Sequence, residues 1–98
     1  MDHSLSRTEG LILDLLSEDA EMYGLEMVEA AEGRLKRGTV YVTLGRMVEK
    51  GFLTSRQAAR AAGESGLPRR LYRATPLGRR VGRAWTRLRR ELAWDGAR

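Results

Sequence analysis

The segment KRGTVYVTLGRMVEKG, residues 36–51, has apolar residues at helical spacing and polar residues that do not lie on the apolar face. Four apolar residues recur at the spacing of one helix face: Val40, Leu44, Met47 and Val48. This spacing predicts a helix over residues 38–50 with one buried side. Tyr41 and Thr43 fall off that side, close to the basic pair Lys36-Arg37. The segment therefore predicts a helix whose first turn presents hydroxyl, aromatic and cationic groups outward.

A first helix is predicted before this segment, because Ser6 and Glu9 have the spacing of a capping box. It should run to about Ser17. Its apolar residues cover more than half of the helix circumference: Leu11, Ile12, Leu13, Leu15 and Leu16. A surface this wide indicates contact with a second apolar body, such as a partner chain.

A second helix is predicted over residues 22–31, after the acid-rich residues 18–21. Its expected buried positions are Met22, Leu25, Met27 and Val28. Glu32 and Gly33 should end it, because glycine suits the left-handed conformation found just after many helices.

The chain changes character after Gly51, where strand patterns replace helical ones. Residues 52–58 and 69–75 alternate or cluster like strands, and the small polar segment between them suits a hairpin tip. The Ala-rich part of that segment could also form a short helical turn. Thr75 and Pro76 then have the residue types of an N-cap and a first helical position. An apolar stripe follows at spacings of three and four residues, close to a coiled-coil pattern: Leu77, Val81, Trp85, Leu88 and Leu92.

The predicted order is helix, helix, helix, hairpin and long helix, which is the order of a winged helix-turn-helix. We therefore predict a mainly α fold with a small β-hairpin, divided into residues 1–75 and a C-terminal helix over residues 76–98, in one compact domain. The second helix of a helix-turn-helix lies in the major groove of DNA. The predicted DNA contacts in and before that helix are Lys36, Arg37, Gly38, Thr39, Tyr41, Val42, Thr43 and Arg46. Wing arginines are expected to contact phosphates or the minor groove: Arg56, Arg60, Arg69 and Arg70.

The two halves of the chain differ in charge. Residues 1–54 carry six Lys/Arg against ten Asp/Glu, a net charge of −4, and residues 55–98 carry twelve Arg against three acids, a net charge of +9. This asymmetry favours a polyanionic partner for the second half. Nucleic acid is the first interpretation and an acidic protein surface the second, while arginines that simply face solvent would give the same count.

Several classes of protein are excluded or disfavoured by residues that the sequence lacks. There is no cysteine and a single histidine, so a protein metal site is not expected and no cofactor is predicted. No apolar run approaches the roughly 20 residues of a membrane span, and a cytoplasmic location is expected. An enzyme is not expected, because no carboxylate pair lies among apolar residues and no Gly-rich phosphate loop follows a strand.

Three segments, in this order, resemble the PadR family of bacterial transcriptional regulators: MYGLEM at 22–27, RGTVYVTLGRMVEKGFL at 37–53, and RRLYRATPLGR at 69–79. They are similar to the family's Tyr-Gly signature, its Gly-Thr-x-Tyr recognition helix and its wing exit. Val42 stands where the family usually has proline, and Gly45 is an unusual residue inside the helix. The resemblance implies a repressor that binds an inverted-repeat operator in double-stranded DNA and is associated with the nucleoid.

The resemblance also implies a homodimer of the short form, held together by a single C-terminal helix that packs on the partner. The expected interface residues are Leu11, Leu13, Leu77, Val81, Trp85, Leu88 and Leu92. Some family members hold planar apolar ligands between these helices, so Trp85 and Trp94 are candidates for contact with a small apolar effector. The other arginines of this helix are expected to face solvent or to pair with acids of the partner's first helix, such as Asp14 or Glu18. The alternative function is a winged-helix protein-interaction module that binds an acidic protein.

Overall fold

The computed structural model describes residues 5–17, 19–58 and 69–96, with side chains as far as Leu92. The elements in this part are α1 (Arg7–Leu15), β1 (Met22–Tyr23), α2 (Gly24–Ala30), α3 (Arg37–Glu49), β2 (Leu53–Gln57), β3 (Arg70–Ala74) and α4 (Pro76–Gly96). The predicted mainly α winged helix-turn-helix with a long last helix is confirmed. None of the described helices is long and apolar enough to cross a membrane.

The sheet has three antiparallel strands in the order β1-β3-β2. In the wing, Leu53 pairs with Ala74 and Gln57 with Arg70, which confirms the predicted hairpin arms. The strand β1 was not predicted, and the expected helix start at Met22 is wrong. Residues 22–23 are extended because they pair with β3, and because the Glu26 carboxylate accepts the Tyr23 N–H at 2.7 Å.

The buried residues of α2 also differ from the prediction. Met27 is fully buried, whereas Leu25, predicted to be buried, is 45% exposed. Val48 of α3 is also exposed, contrary to prediction, because it lies at the border of a face that Val40, Leu44 and Met47 already fill.

The core lies between α1, α2, α3 and the sheet. Its largest fully buried side chains are Phe52, Ile12, Leu16, Met27, Leu44, Met47 and Val40. The apolar width of α1 does not require a partner chain, which corrects that interpretation. Leu11 and Leu13 are 9% and 4% exposed within the single chain, because α4 covers the side of α1 that α2 and α3 leave open.

The caps predicted at the starts of α1 and α4 and the glycine predicted after α3 are confirmed, whereas α1 ends at Leu15 and not near Ser17. In the capping box of α1, the Glu9 N–H donates to Ser6 Oγ at 3.1 Å and the Ser6 N–H donates to Glu9 Oε1 at 2.8 Å. Thr75 caps α4 by accepting the Gly78 N–H at 3.0 Å. Gly33 and Gly51, after α2 and α3, have φ of +90° and +81°, the left-handed conformation that favours glycine.

Two glycines allow α4 to approach α1 closely. A Cβ at Gly10 would lie 2.3 Å from Trp85 Nε1, and a Cβ at Gly82 would lie 3.2 Å from Leu13 Cβ. Asp14 of α1 adds polar contacts with α4, because it accepts the Thr86 hydroxyl at 2.8 Å and pairs with Arg89 at 2.8 Å. Asp14 was expected to pair with arginines of a partner chain, but here it pairs with Arg89 of its own chain. The helix α4 is therefore fixed to α1 of the same protomer.

Candidate nucleic-acid interface

The predicted recognition residues lie on the exposed side of α3. Tyr41 is 52% exposed and Val42 is 65% exposed, although the Tyr41 ring and the Val42 side chain are apolar. Thr43 is half-buried. The other predicted contacts on α3 are exposed: Arg37, Gly38, Thr39 and Arg46. This side of the helix therefore presents an aromatic ring, an aliphatic side chain and cations together.

The start of α3 leaves backbone donors available to an anion. Lys36 is the extended N-cap residue, and its side chain makes no capping hydrogen bond. The Thr39 and Val40 N–H groups both donate to the Lys36 carbonyl at 3.1 Å, which leaves the amides of Arg37 and Gly38 to suit a phosphate oxygen. The Thr39 hydroxyl donates to the Lys36 carbonyl at 3.3 Å and the Thr43 hydroxyl donates to the Thr39 carbonyl at 3.0 Å. Both hydroxyl oxygens therefore keep lone pairs for an external donor.

Tyr41 and the base of the wing face the same groove. This groove has a volume of about 570 Å³ and lies between α2, α3 and β3. Its lining residues are Tyr23, Gly24, Leu25, Glu26, Glu29, Tyr41, Arg69, Arg70 and Tyr72. The recognition helix and the wing arginines, which are about thirty residues apart in the sequence, are therefore neighbours in space.

The wing arginines differ in what they contact. The Arg69 guanidinium lies over the Tyr23 ring, 5.3 Å from its centroid, and Arg70 donates to Ser55 Oγ at 3.0 Å. Both side chains are exposed, and in the described part of the chain neither pairs with a carboxylate. Arg60 lies outside the described residues.

Arg56, predicted as a wing cation for phosphate contact, is already paired with an acid of its own chain. Its Nη2 and Nε donate to the two carboxylate oxygens of Glu21 at 2.8 and 2.9 Å. The hydrogen bonds from Arg56 lower the pKa of Glu21, and the same contact raises the pKa of Arg56. A phosphate would have to displace Glu21 before Arg56 could contact it.

A second acidic residue of the same turn, Asp19, neutralises two further arginines. Asp19 Oδ1 accepts hydrogen bonds from Arg73 of β3 and Arg79 of α4. Arg73, and to a smaller extent Arg79, lower the pKa of Asp19. Nothing local in the sequence indicates these pairs, because 54 and 60 residues separate the partners. The positive charge of the second half is thus partly compensated by the turn between α1 and β1.

A known protein family matches most of this chain. The model of the Transcriptional regulator PadR-like family matches residues 12–84. The chain belongs to this family. No curated protein matches it in sequence.

Solved structures place the PadR-like chain in the same fold group. A PadR family transcription regulator from Clostridium difficile R20291 has 27% identity and a TM-score of 0.74, covering 90% of this chain and 92% of that one. A PadR-like transcriptional regulator from Bacillus cereus ATCC 14579 has 22% identity and a TM-score of 0.75, covering 91% and 86%. Bacillus subtilis PadR in complex with operator DNA has 20% identity and a TM-score of 0.71, covering 85% of this chain. The PadR-like chain spans about half of that protein, 48% of its length.

The apolar stripe of α4 in the PadR-like chain divides into two parts. Leu77 and Val81 are half-buried against the chain's own core, whereas Leu88 and Leu92 are 50% and 62% exposed. Trp85 lies between them, half-buried on Gly10, and in the described part of the chain its buried Nε1 has no hydrogen-bond partner. The side chain of Trp94 lies outside the described residues.

A groove of about 710 Å³ follows this stripe between α1 and α4 of the PadR-like chain. It is lined by Arg7, Thr8, Leu11, Arg34, Trp85, Leu88, Arg89 and Leu92. Its apolar lining residues are Leu11, Trp85, Leu88 and Leu92, of which the last two are exposed. Leu88 and Leu92 are therefore the interface candidates that have apolar surface left to bury.

Proposed function

We propose that this chain is a DNA-binding transcriptional regulator that acts as a homodimeric repressor on an inverted-repeat operator. The observation that carries the proposal is the shared groove, in which Tyr41 of α3 faces Arg69 and Arg70 of the wing. One surface thus combines groups suited to base edges with groups suited to phosphates. The fold that the chain shares with Bacillus subtilis PadR, whose structure contains operator DNA, supports the proposal.

Each part of the surface has a distinct role in this proposal. The first turn of α3 enters the major groove, where Val42 and the Tyr41 ring contact base edges or a thymine methyl group. Lys36, Arg37 and the first-turn amides contact phosphates, which position the protein without reading sequence. Arg69 and Arg70 extend the contact to the flanking backbone or minor groove. Occupation of a promoter is sufficient for repression, and such a protein acts in the cytoplasm at the nucleoid.

Tyr41→Ala tests the reading role of α3. The variant is expected to weaken binding to a preferred duplex by about tenfold or more, since a good base contact contributes about 1–3 kcal/mol. Its thermal unfolding should change little, because the Tyr41 side chain is half-exposed. Fluorescence anisotropy with a labelled duplex measures the first quantity and circular dichroism the second. Val48→Ala, two turns further along the same helix, is the control and should bind normally. A loss of stability that matches the loss of affinity would assign Tyr41 to folding.

Dimerisation follows in this proposal from the exposed leucines of α4. Two copies of Leu88 and Leu92 would bury each other, and an isologous contact of this kind gives the twofold symmetry of an inverted repeat. The groove beside Trp85 is the proposed place for a small apolar effector, which would act by changing how the two α4 helices pack.

Leu88→Glu tests this interface, because a carboxylate there would be buried in the dimer and solvated in the monomer. Sedimentation velocity is expected to show a shift toward monomer, with the helical content of the chain retained. Leu88 is a better choice than Trp85, since Trp85 also packs on Gly10 of its own chain. The control is Arg83→Glu, another exposed position of α4, outside the apolar stripe. An intact Leu88→Glu dimer would move the interface elsewhere.

A further inference from the structure

Gly24, the first residue of α2, lies against the hydroxyl-bearing edge of the Tyr41 ring. A Cβ at this position would be 2.8 Å from Tyr41 Cε1, 3.1 Å from Cζ and 3.3 Å from the hydroxyl oxygen. Gly24 is helical, so its backbone conformation is open to any residue. A methyl group at this position would therefore displace the Tyr41 ring, whereas the backbone would accept it.

The preceding residue makes the corresponding contact with the wing. Tyr23 is extended, pairs with Leu71 of β3, and carries the Arg69 guanidinium over its ring at 5.3 Å from the centroid. The Glu26 carboxylate holds the Tyr23 backbone N–H at 2.7 Å. Two consecutive residues thus contact two groups that the proposed function assigns to DNA, one on α3 and one on the wing.

We infer, resting on the proposed function, that Tyr23 and Gly24 are positioning residues for DNA reading. Gly24 leaves room for the tip of the Tyr41 side chain, and Tyr23 holds Arg69. Neither residue needs to touch DNA. Tyr41 and Arg69 are exposed, and an exposed side chain loses rotamer freedom on binding unless a neighbour has already restricted it. The pair restricts both, and it fixes the recognition helix relative to the wing.

The test is a double-mutant cycle of Gly24→Ala and Tyr41→Ala, with duplex affinity measured by anisotropy. Gly24→Ala alone is expected to weaken binding about tenfold, because the added methyl group displaces the ring. In the Tyr41→Ala background the same change should alter affinity by less than about twofold, since no ring remains to be displaced. Tyr41→Phe in place of Tyr41→Ala should retain most of the effect of Gly24→Ala, because the two shortest contacts are with ring carbons and only the third is with the hydroxyl oxygen.

Equal losses in both backgrounds, or no loss from Gly24→Ala in the wild-type background, would overturn the positioning role. Poor folding of Gly24→Ala that Tyr41→Ala restores would be the same coupling expressed in folding, and would support the contact. If the wild-type protein binds no duplex, the proposed function itself fails. Urea unfolding of the wild type, the two single variants and the double variant then tests the contact between Gly24 and Tyr41. Non-additive changes in the free energy of unfolding would support the contact, and additive changes would contradict it.

Discussion

Gly78→Ala is expected to lower the free energy of unfolding by about 3 kcal/mol or more, near the upper end of what overpacking costs. A Cβ at Gly78 would lie 2.0 Å from the Phe52 carbonyl oxygen and 2.9 Å from its carbonyl carbon. That carbonyl also accepts the Thr75 N–H at 3.0 Å, and Thr75 in turn caps α4. The obstacle is backbone that is held by hydrogen bonds, so it cannot turn aside as a side chain could.

Gly82→Ala is the matched control, one turn further along the same helix. Its Cβ would lie 3.2 Å from Leu13 Cβ, a tight side-chain contact that a small shift can relieve. The gain in helix propensity from glycine to alanine, about 1 kcal/mol, offsets much of the cost there. Urea unfolding of both variants measures the difference. Similar free energies of unfolding for the two variants would show that the first turn of α4 does not pack against the Phe52 carbonyl.

Glu9→Gln is expected to cost about 2–3 kcal/mol, because it removes the carboxylate from an ion pair that is largely buried. Lys50 Nζ lies 3.1 and 2.9 Å from the two oxygens of Glu9, and the side chains are 14% and 3% exposed. The glutamine oxygen can still accept the Ser6 N–H, so the change isolates the charge. This pair ties the start of α1 to the end of α3. The control is Glu21→Gln, which breaks the exposed pair with Arg56 and should change stability by less than about 1 kcal/mol.

The same pair predicts how stability depends on pH. Burial alone would raise the pKa of Glu9, but the hydrogen bonds from Lys50 and Ser6 outweigh it and lower the pKa below the ordinary value of 4.5. A lowered folded-state pKa contributes stability that is fully present above about pH 4.5 and is lost as pH falls through the folded value. Wild-type protein should therefore lose stability below pH 4.5 more steeply than Glu9→Gln, as measured by thermal unfolding from pH 3 to 6. Parallel curves would contradict the role of Glu9.

The features that were predictable from the sequence depend on residues close together in the chain. Ser6 and Glu9 form their capping box within one turn, and Thr75 caps α4 at Gly78. The left-handed glycine at position 51 needs only the end of the helix before it. The exposure of Tyr41 followed from the helical spacing of α3.

The features that were missed depend on distant partners. The strand β1 has two residues, too few for an alternating pattern, and it exists because β3 pairs with it some fifty residues later. The bonds of Glu9 with Lys50 and of Arg56 with Glu21 span 41 and 35 residues. The apolar width of α1 was assigned to a partner chain because sequence spacing could not show that α4 folds back on it. Gly10 of α1 and Gly82 of α4 allow this close approach, but neither belongs to a spacing pattern in the sequence.

Sequence-specific DNA binding by this chain is tested most directly by selecting bound duplexes from a random DNA library at near-physiological salt. We expect enrichment of an inverted repeat, with half-site centres about one helical turn or a multiple of it apart, and loss of that enrichment in Tyr41→Ala. Binding without enrichment would reduce the protein to a phosphate-driven DNA binder. The absence of any binding would contradict the proposed DNA-binding function and favour an acidic protein as the partner of the arginine-rich residues 55–98.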